Sequence, residues 1–200
     1  FAIRSRVVAL DAKTGKEVWR FYTVPSPGEF GYETWPRDSE LWKGGGAGVW
    51  TTPAVDPALG LVYFGTGNAV PQWGGELRAG DNLFNVSVVA LDLKTGTYRW
   101  HFQAVHHDVW DHDIGTAVVL YDAVVDGRPR KAIAAMRTDA YLFLLDRQTG
   151  KPIQPVEERP VKQDPRIKTA ATQPFPVGAE RLVPDCVEPD MVPPGFERDC

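Results

Sequence analysis

Cysteine is scarce in this chain: two occur, Cys186 and Cys200, both within the last fifteen of 200 positions. No CxxCH stretch is present, so covalent haem attachment is excluded in this segment. The pair either closes a loop as a disulfide in an oxidising compartment or stays free, and a cysteine at the very end suggests that the chain continues. An excess of positive charge is lacking too, with 22 lysines and arginines against 26 aspartates and glutamates and a net charge of -4. Without a basic stripe, neither nucleic acid nor an anionic membrane surface is an expected partner. No apolar run approaches the roughly 20 residues of a membrane-spanning helix. The opening FAIRSR carries no mark of a secretory leader. Long amphipathic helical patterns are missing as well, which turns attention to strands.

What the sequence has is a repeat. VVALDAKTGKEVWRF (7–21) and VVALDLKTGTYRWHF (88–102) share Val-Val-Ala-Leu-Asp, Lys-Thr-Gly and a tryptophan eight residues after the aspartate. A weaker copy, LLDRQTGKPIQPV (144–156), keeps Asp146, Thr149 and Gly150 but has Gln154 in place of the tryptophan. β-Branched residues running into Asp-x-x-Thr-Gly predict strand, tight turn, strand. Segments 59–67, 115–125, 130–138 and 140–146 also read as short strands. The aspartates lie 81 and then 54 residues apart, so the first interval exceeds a blade of roughly 40–50 residues and must hold an insertion. The Gly-, Pro- and Trp-rich stretch 22–48 is the candidate. Ten of the seventeen prolines fall in 151–200, which predicts a division into blades at 1–154 and a Pro-rich excursion, or the start of a next blade, at 155–200.

These residues resemble one family. The Ala-x-Asp-x-x-Thr-Gly-x-x-x-Trp repeats are similar to the tryptophan-docking motifs of the pyrroloquinoline quinone (PQQ) dependent dehydrogenases, the quinoproteins that oxidise alcohols and glucose. GGGAGVWTTPAVDPALGLVYFGTGN (44–68), GDNLFNVSVVALDLKTG (80–96) and HHDVWDHD (106–113) follow in that family's order. The resemblance covers about residues 6–160. It implies an all-β fold, part of an eight-bladed β-propeller with tryptophan-docking repeats and incomplete in this chain. It also implies a periplasmic oxidoreductase that passes hydride from an alcohol or aldose to metal-bound PQQ, with a cytochrome or quinone as electron acceptor.

Site residues follow from the same match. Trp50, taken alone, would be ordinary core or hairpin packing, but the match makes it the flat floor beneath the quinone, with Trp19 and Trp100 left to dock blades. Asn68, by composition a turn residue, matches the family's amide-oxygen ligand to a divalent cation. Asp111, otherwise a solvated loop charge, matches the general base, whose carboxylate a neighbouring cation would keep unprotonated. Asp113 matches an added metal ligand. Ca²⁺ is the expected ion and a trivalent lanthanide the alternative, because another anionic oxygen favours higher cation charge. His106 and His107 are expected to hydrogen-bond the carboxylate loop and fix its geometry.

One departure stands out. Thr138 occupies the position of a quinone-contacting Lys or Arg, and alternation sends the adjacent Arg137 to the opposite face. That departure suits a second reading, a non-catalytic propeller serving as a binding or assembly scaffold. The family's metal-binding glutamate is expected upstream of Phe1. The enzymatic reading requires Trp50, Asn68 and Asp111 to converge on one central cavity.

Overall fold

A computed structural model describes residues 3–178, 183 and 192–194. Cys186 and Cys200, and with them the disulfide question, lie outside the described residues. Eleven strands and three single 3₁₀ turns make up the described regular structure. Strands β1 (Arg6–Leu10) and β2 (Glu17–Tyr22) form one antiparallel hairpin. Strands β3 (Ala54–Asp56), β4 (Leu61–Gly65), β5 (Ser87–Asp92) and β6 (Tyr98–Gln103) form a four-stranded antiparallel meander. Strands β7 (Val119–Val125), β8 (Arg128–Met136) and β9 (Leu142–Asp146) form a third sheet. The stretch between β2 and β3 holds only the 3₁₀ turns Tyr32–Thr34 and Leu41–Lys43, as its glycine and proline content predicts.

The turns of the three repeats share one geometry. Asp11, Asp92 and Asp146 each accept, on Oδ1, the backbone N–H groups two and three residues on and the Thr hydroxyl. The following glycine returns its N–H to the aspartate carbonyl at 2.7–2.9 Å. In the third copy the returning strand dwindles to a single bridge, Leu145 to Pro152, because proline lacks the N–H a ladder needs.

Sheets stack through their side-chain alternation. Tyr63, Val88 and Ala90 point toward Ile133, Ala135, Phe143 and Leu145 of the β7–β9 sheet. Val62, Phe64, Val89 and Leu91 point the other way, where Val7, Trp19 and Phe21 of the first hairpin meet them. Strand β5 is therefore buried on both faces, which explains its near-continuous apolar run. The tryptophans set the spacing between sheets. The Trp19 indole donates to Leu93 O at 3.1 Å and covers Gly96, where a methyl group would lie 2.6 Å from the ring. The Trp100 indole donates to Arg147 O at 3.3 Å and covers Gly150 in the same manner, at 2.5 Å. Each tryptophan thus caps the Thr-Gly turn of the next repeat, which is the stacking of successive propeller blades.

The Pro-rich region, expected as an excursion or the start of a next blade, holds one further hairpin. Strands β10 (Val156–Pro160) and β11 (Thr172–Pro176) pair in regular antiparallel register. Proline is tolerated there because a two-stranded ribbon has two edges.

Candidate functional site

Residues from four segments meet at one end of the sheets, and backbone contact brings them there. Gly46 has φ +87, and a methyl group on it would lie 2.5 Å from Asn68 O. Only glycine lets residues 45–48 run against 67–70, where Ala47 N donates to Asn68 O (2.8 Å), Gly67 N to Gly48 O (2.9 Å) and Val70 N to Gly45 O (2.9 Å). Trp50 follows two residues after Gly48. Its side chain is 61% exposed in this segment. The ring borders Gly67 and Gly115, whose added methyls would fall 3.2 Å and 3.6 Å from it.

Asp113 comes in from the loop after β6. Its Oδ1 accepts the Asn68 N–H at 2.7 Å. Its backbone is paired with Thr138, whose N–H donates to Asp113 O (3.0 Å) and whose hydroxyl accepts from Asp113 N (3.2 Å). The Asn68 amide nitrogen is committed to Ala69 O at 3.1 Å, which leaves the side-chain oxygen as the group on offer. Burial pushes the Asp113 carboxyl above its ordinary pKa, the Asn68 hydrogen bond opposes this, and the negative charge of Asp111 adds to the rise. Two carboxylates therefore sit close enough to repel, and among the described residues neither has a salt-bridge partner.

Asp111 is exposed and adopts φ +65, a conformation that costs a non-glycine residue on the order of 1–3 kcal/mol. The loop around it is pinned nearly everywhere else. Asp108 Oδ1 accepts from Trp110 N (3.2 Å) and His112 N (3.3 Å), and Ile114 N donates to Thr66 O (3.1 Å). Arg78, fully buried, donates to the Asp108 carbonyl while also binding Pro71 O, Gln72 O and Asn82 Oδ1. Sequence reasoning passed over Arg78, since nothing in GELRAG announces a buried guanidinium.

Asn68, Asp113 and Thr138 are thus joined by hydrogen bonds, with the Trp50 ring bordering Gly67 and Gly115 alongside them and Asp111 two residues before Asp113. They border an open face rather than a closed cavity among the described residues. Arg137 points away, as alternation predicts: it is buried, donates to Ala104 O at 2.6 Å and clasps Asp139 at 2.7–2.8 Å. The histidines correct the sequence expectation. The His106 ring binds Gln103 and Glu158, and the His107 ring binds Gly80 O. The histidine beside the buried carboxylate is His112, 3.7 Å from Asp108 Oδ1. A motif fixes spacing but not which way each ring turns.

Among the described residues no three His, Cys, Asp or Glu side chains gather as a metal site. The donors expected from the sequence, the Asn68 amide oxygen and the Asp111 and Asp113 carboxylates, are all oxygen. That set suits part of the shell of a hard cation, which takes 6–8 oxygens as Ca²⁺. A cation would also relieve the repulsion between the carboxylates, and the bare Trp50 face offers a planar platform. The residues present therefore fit both groups.

A family model for the PQQ glucose/ethanol/alcohol dehydrogenase β-propeller domain matches residues 2–198. The quinohemoprotein alcohol dehydrogenase ADH-IIG of Pseudomonas putida is 39% identical over 163 residues, covering 76% of this chain and 23% of that protein. The glycerol dehydrogenase large subunit of Gluconobacter oxydans is 41% identical over 190 residues, covering 90% of this chain and 25% of that protein. Among solved structures, the quinohemoprotein alcohol dehydrogenase of Comamonas testosteroni superposes with TM-score 0.73 at 32% identity, over 88% of this chain and 28% of that one. A europium-containing methanol dehydrogenase superposes with TM-score 0.70 at 30% identity, over 90% of this chain and 34% of that one. The chain spans about a quarter of the length of the curated relatives it matches.

Proposed function

This chain belongs to the β-propeller family of PQQ-dependent glucose, ethanol and alcohol dehydrogenases, and from that premise we propose that it supplies the cofactor floor and the general base of a quinoprotein oxidoreductase. The observation that carries the reading is the meeting of Trp50, Asn68, Asp113 and Thr138 on one face with Asp111 beside them. Trp50 would bear the quinone, and Asn68, Asp111 and Asp113 would hold the cation, Ca²⁺ first and a lanthanide as the alternative. When bound, the metal–quinone pair supplies the acceptor for hydride from an alcohol or aldose. Asp111 takes the substrate hydroxyl proton, and its exposure leaves its oxygens open to do so. Asp113 and Thr138 hold the loop that presents it. A periplasmic location and a cytochrome or quinone acceptor belong to the same reading.

The test uses the full-length protein, reconstituted with PQQ and either Ca²⁺ or La³⁺, with bound quinone measured by absorbance and oxidation of alcohols, glycerol and aldoses by a dye-linked assay. The expected result is metal-dependent quinone binding and dye reduction that chelation abolishes. Asp111→Asn should lower turnover by roughly 10²–10⁴-fold with quinone still bound. Thr138, where the family carries a cation, favours a second reading: a scaffold propeller without cofactor. Absence of quinone binding under either metal would establish that one.

A further inference from the structure

The Pro-rich hairpin β10–β11 has no part in the site just described, yet it grips the loop that carries Asp111. Gln173 is 2% exposed, and its amide does what a neighbouring strand would do. Its Oε1 accepts from His106 N at 2.8 Å and its Nε2 donates to His106 O at 2.7 Å. Thr169 adds a second grip, its hydroxyl donating to His107 O at 2.8 Å and accepting from Gln173 Nε2 at 3.1 Å. Glu158 holds the His106 ring at 3.1 Å, and Phe175 packs edge-on against Tyr141, ring centroids 5.4 Å apart. At its base the hairpin is tied by Gln154, which donates to Val177 O at 2.6 Å from the position where the other repeats carry tryptophan.

We infer that this hairpin is a clamp on the Asp111 loop and that Gln173 is a positioning residue, an inference that rests on the reading of Asp111 as the base. His107 (φ +45) and Asp111 (φ +65) both hold left-handed conformations that a free loop of non-glycine residues abandons. Anchors within the blades, Arg78 and Thr66 among them, secure the loop from Asp108 onward. At its entry the hairpin supplies the partners of the His106 N–H and of the His106 and His107 carbonyls, while the His107 N–H and ring are held by Asp81 O and Gly80 O. A fully paired, buried glutamine is costly to strip of its partners, so the grip is rigid. Loss of the clamp lets the loop relax toward ordinary backbone conformations, and small displacements of a base from its reactive geometry cost rate far more than binding.

The experiment takes the full-length holoprotein with Gln173→Ala, Thr169→Val and Thr169→Ser, and reads hydrogen exchange of the 106–113 amides together with turnover per bound quinone. Gln173→Ala should speed exchange across 106–113 by about tenfold and lower turnover per bound quinone by about tenfold, with alcohol KM within about twofold. Thr169→Val, nearly isosteric, should show a smaller change of the same kind, and Thr169→Ser should restore it. Unchanged exchange at 106–113 would overturn the clamp. Faster exchange with unchanged turnover per bound quinone would overturn the positioning role. If the unmodified protein binds no quinone, the functional reading fails and takes the positioning role with it, while the exchange rates still decide the clamp.

Discussion

Asp108 shows how one buried carboxyl shapes the loop beside Asp111. It is 2% exposed, its Oδ1 is spent on Trp110 N and His112 N, and its Oδ2 is buried without a hydrogen-bond partner. Burial pushes its pKa up to about 6, against the pull of those two N–H groups and of Arg78. The folded chain therefore binds this proton more tightly than the unfolded chain. Its stabilising contribution is complete below the unfolded value of 3.8 and is lost as pH rises through about 6, at roughly 1.4 kcal/mol per unit of displacement. Asp108→Asn keeps the Oδ1 acceptor and removes the titration. Thermal midpoints of the two proteins between pH 4 and pH 8 (about the range that brackets a carboxyl raised in this way) should diverge, the variant gaining on the parent as pH rises from about 4 to about 6 and levelling off above it. A constant difference would mean that Asp108 is not the group responsible. At this scale the sequence was legible by type and blind by direction. HHDVWDHD marks Asp111 and Asp113, and Gly-Thr-Gly-Asn marks Asn68, but the rotation of His106 and His107 and the burial of Arg78 depend on segments 20 to 70 positions away.

Elements were read more readily, because a strand states itself within its own few residues. The repeat fixes Asp, Thr and Gly at turn positions that backbone geometry dictates, and the strands expected from alternation formed except the returning strand of the third copy, which keeps only the Leu145–Pro152 bridge. The β10–β11 pairing was missed because proline obscures alternation in a ribbon that has no central strand. Docking gives the turns unequal tolerance. Gly15 and Gly96 share φ +68, yet a methyl on Gly15 meets nothing within 4 Å whereas one on Gly96 lies 2.6 Å from the Trp19 ring. In this 200-residue segment, where no repeat precedes the first turn, Gly15→Ala should cost about 1 kcal/mol from backbone strain alone. Gly96→Ala adds displacement of a docked indole and should approach the roughly 3–5 kcal/mol of deleting a packed aromatic. Denaturant midpoints of the two variants measure the difference, and equal losses would show that the tryptophan contributes no docking energy.

At the scale of the molecule, sheets built from local signals must be joined by contacts that no local signal encodes. Arg147 makes one such joint. It is 8% exposed and sits in the turn of the third repeat, with Nε 2.9 Å from Asp56 Oδ2 on the four-stranded sheet and Nη2 3.1 Å from Asp122 Oδ1 on the three-stranded sheet. The two acids differ in surroundings, the Asp56 side chain being 6% exposed and that of Asp122 72%. Breaking a buried pair strands a charge away from water, which costs about 3–5 kcal/mol, whereas a solvated partner contributes about 0–1 kcal/mol. Asp56→Asn, which keeps the Oδ1 acceptor for Ala58 N and Leu59 N, should therefore lower stability by several times more than Asp122→Asn. Adding Arg147→Met to Asp56→Asn removes the stranded guanidinium and should recover much of the loss. Recovery in that double variant, followed by chemical denaturation, separates the cost of an uncompensated charge from the cost of a lost contact. If the double variant is instead as unstable as the two single changes summed, the pair stabilises the joint by direct attraction and the sheets depend on it.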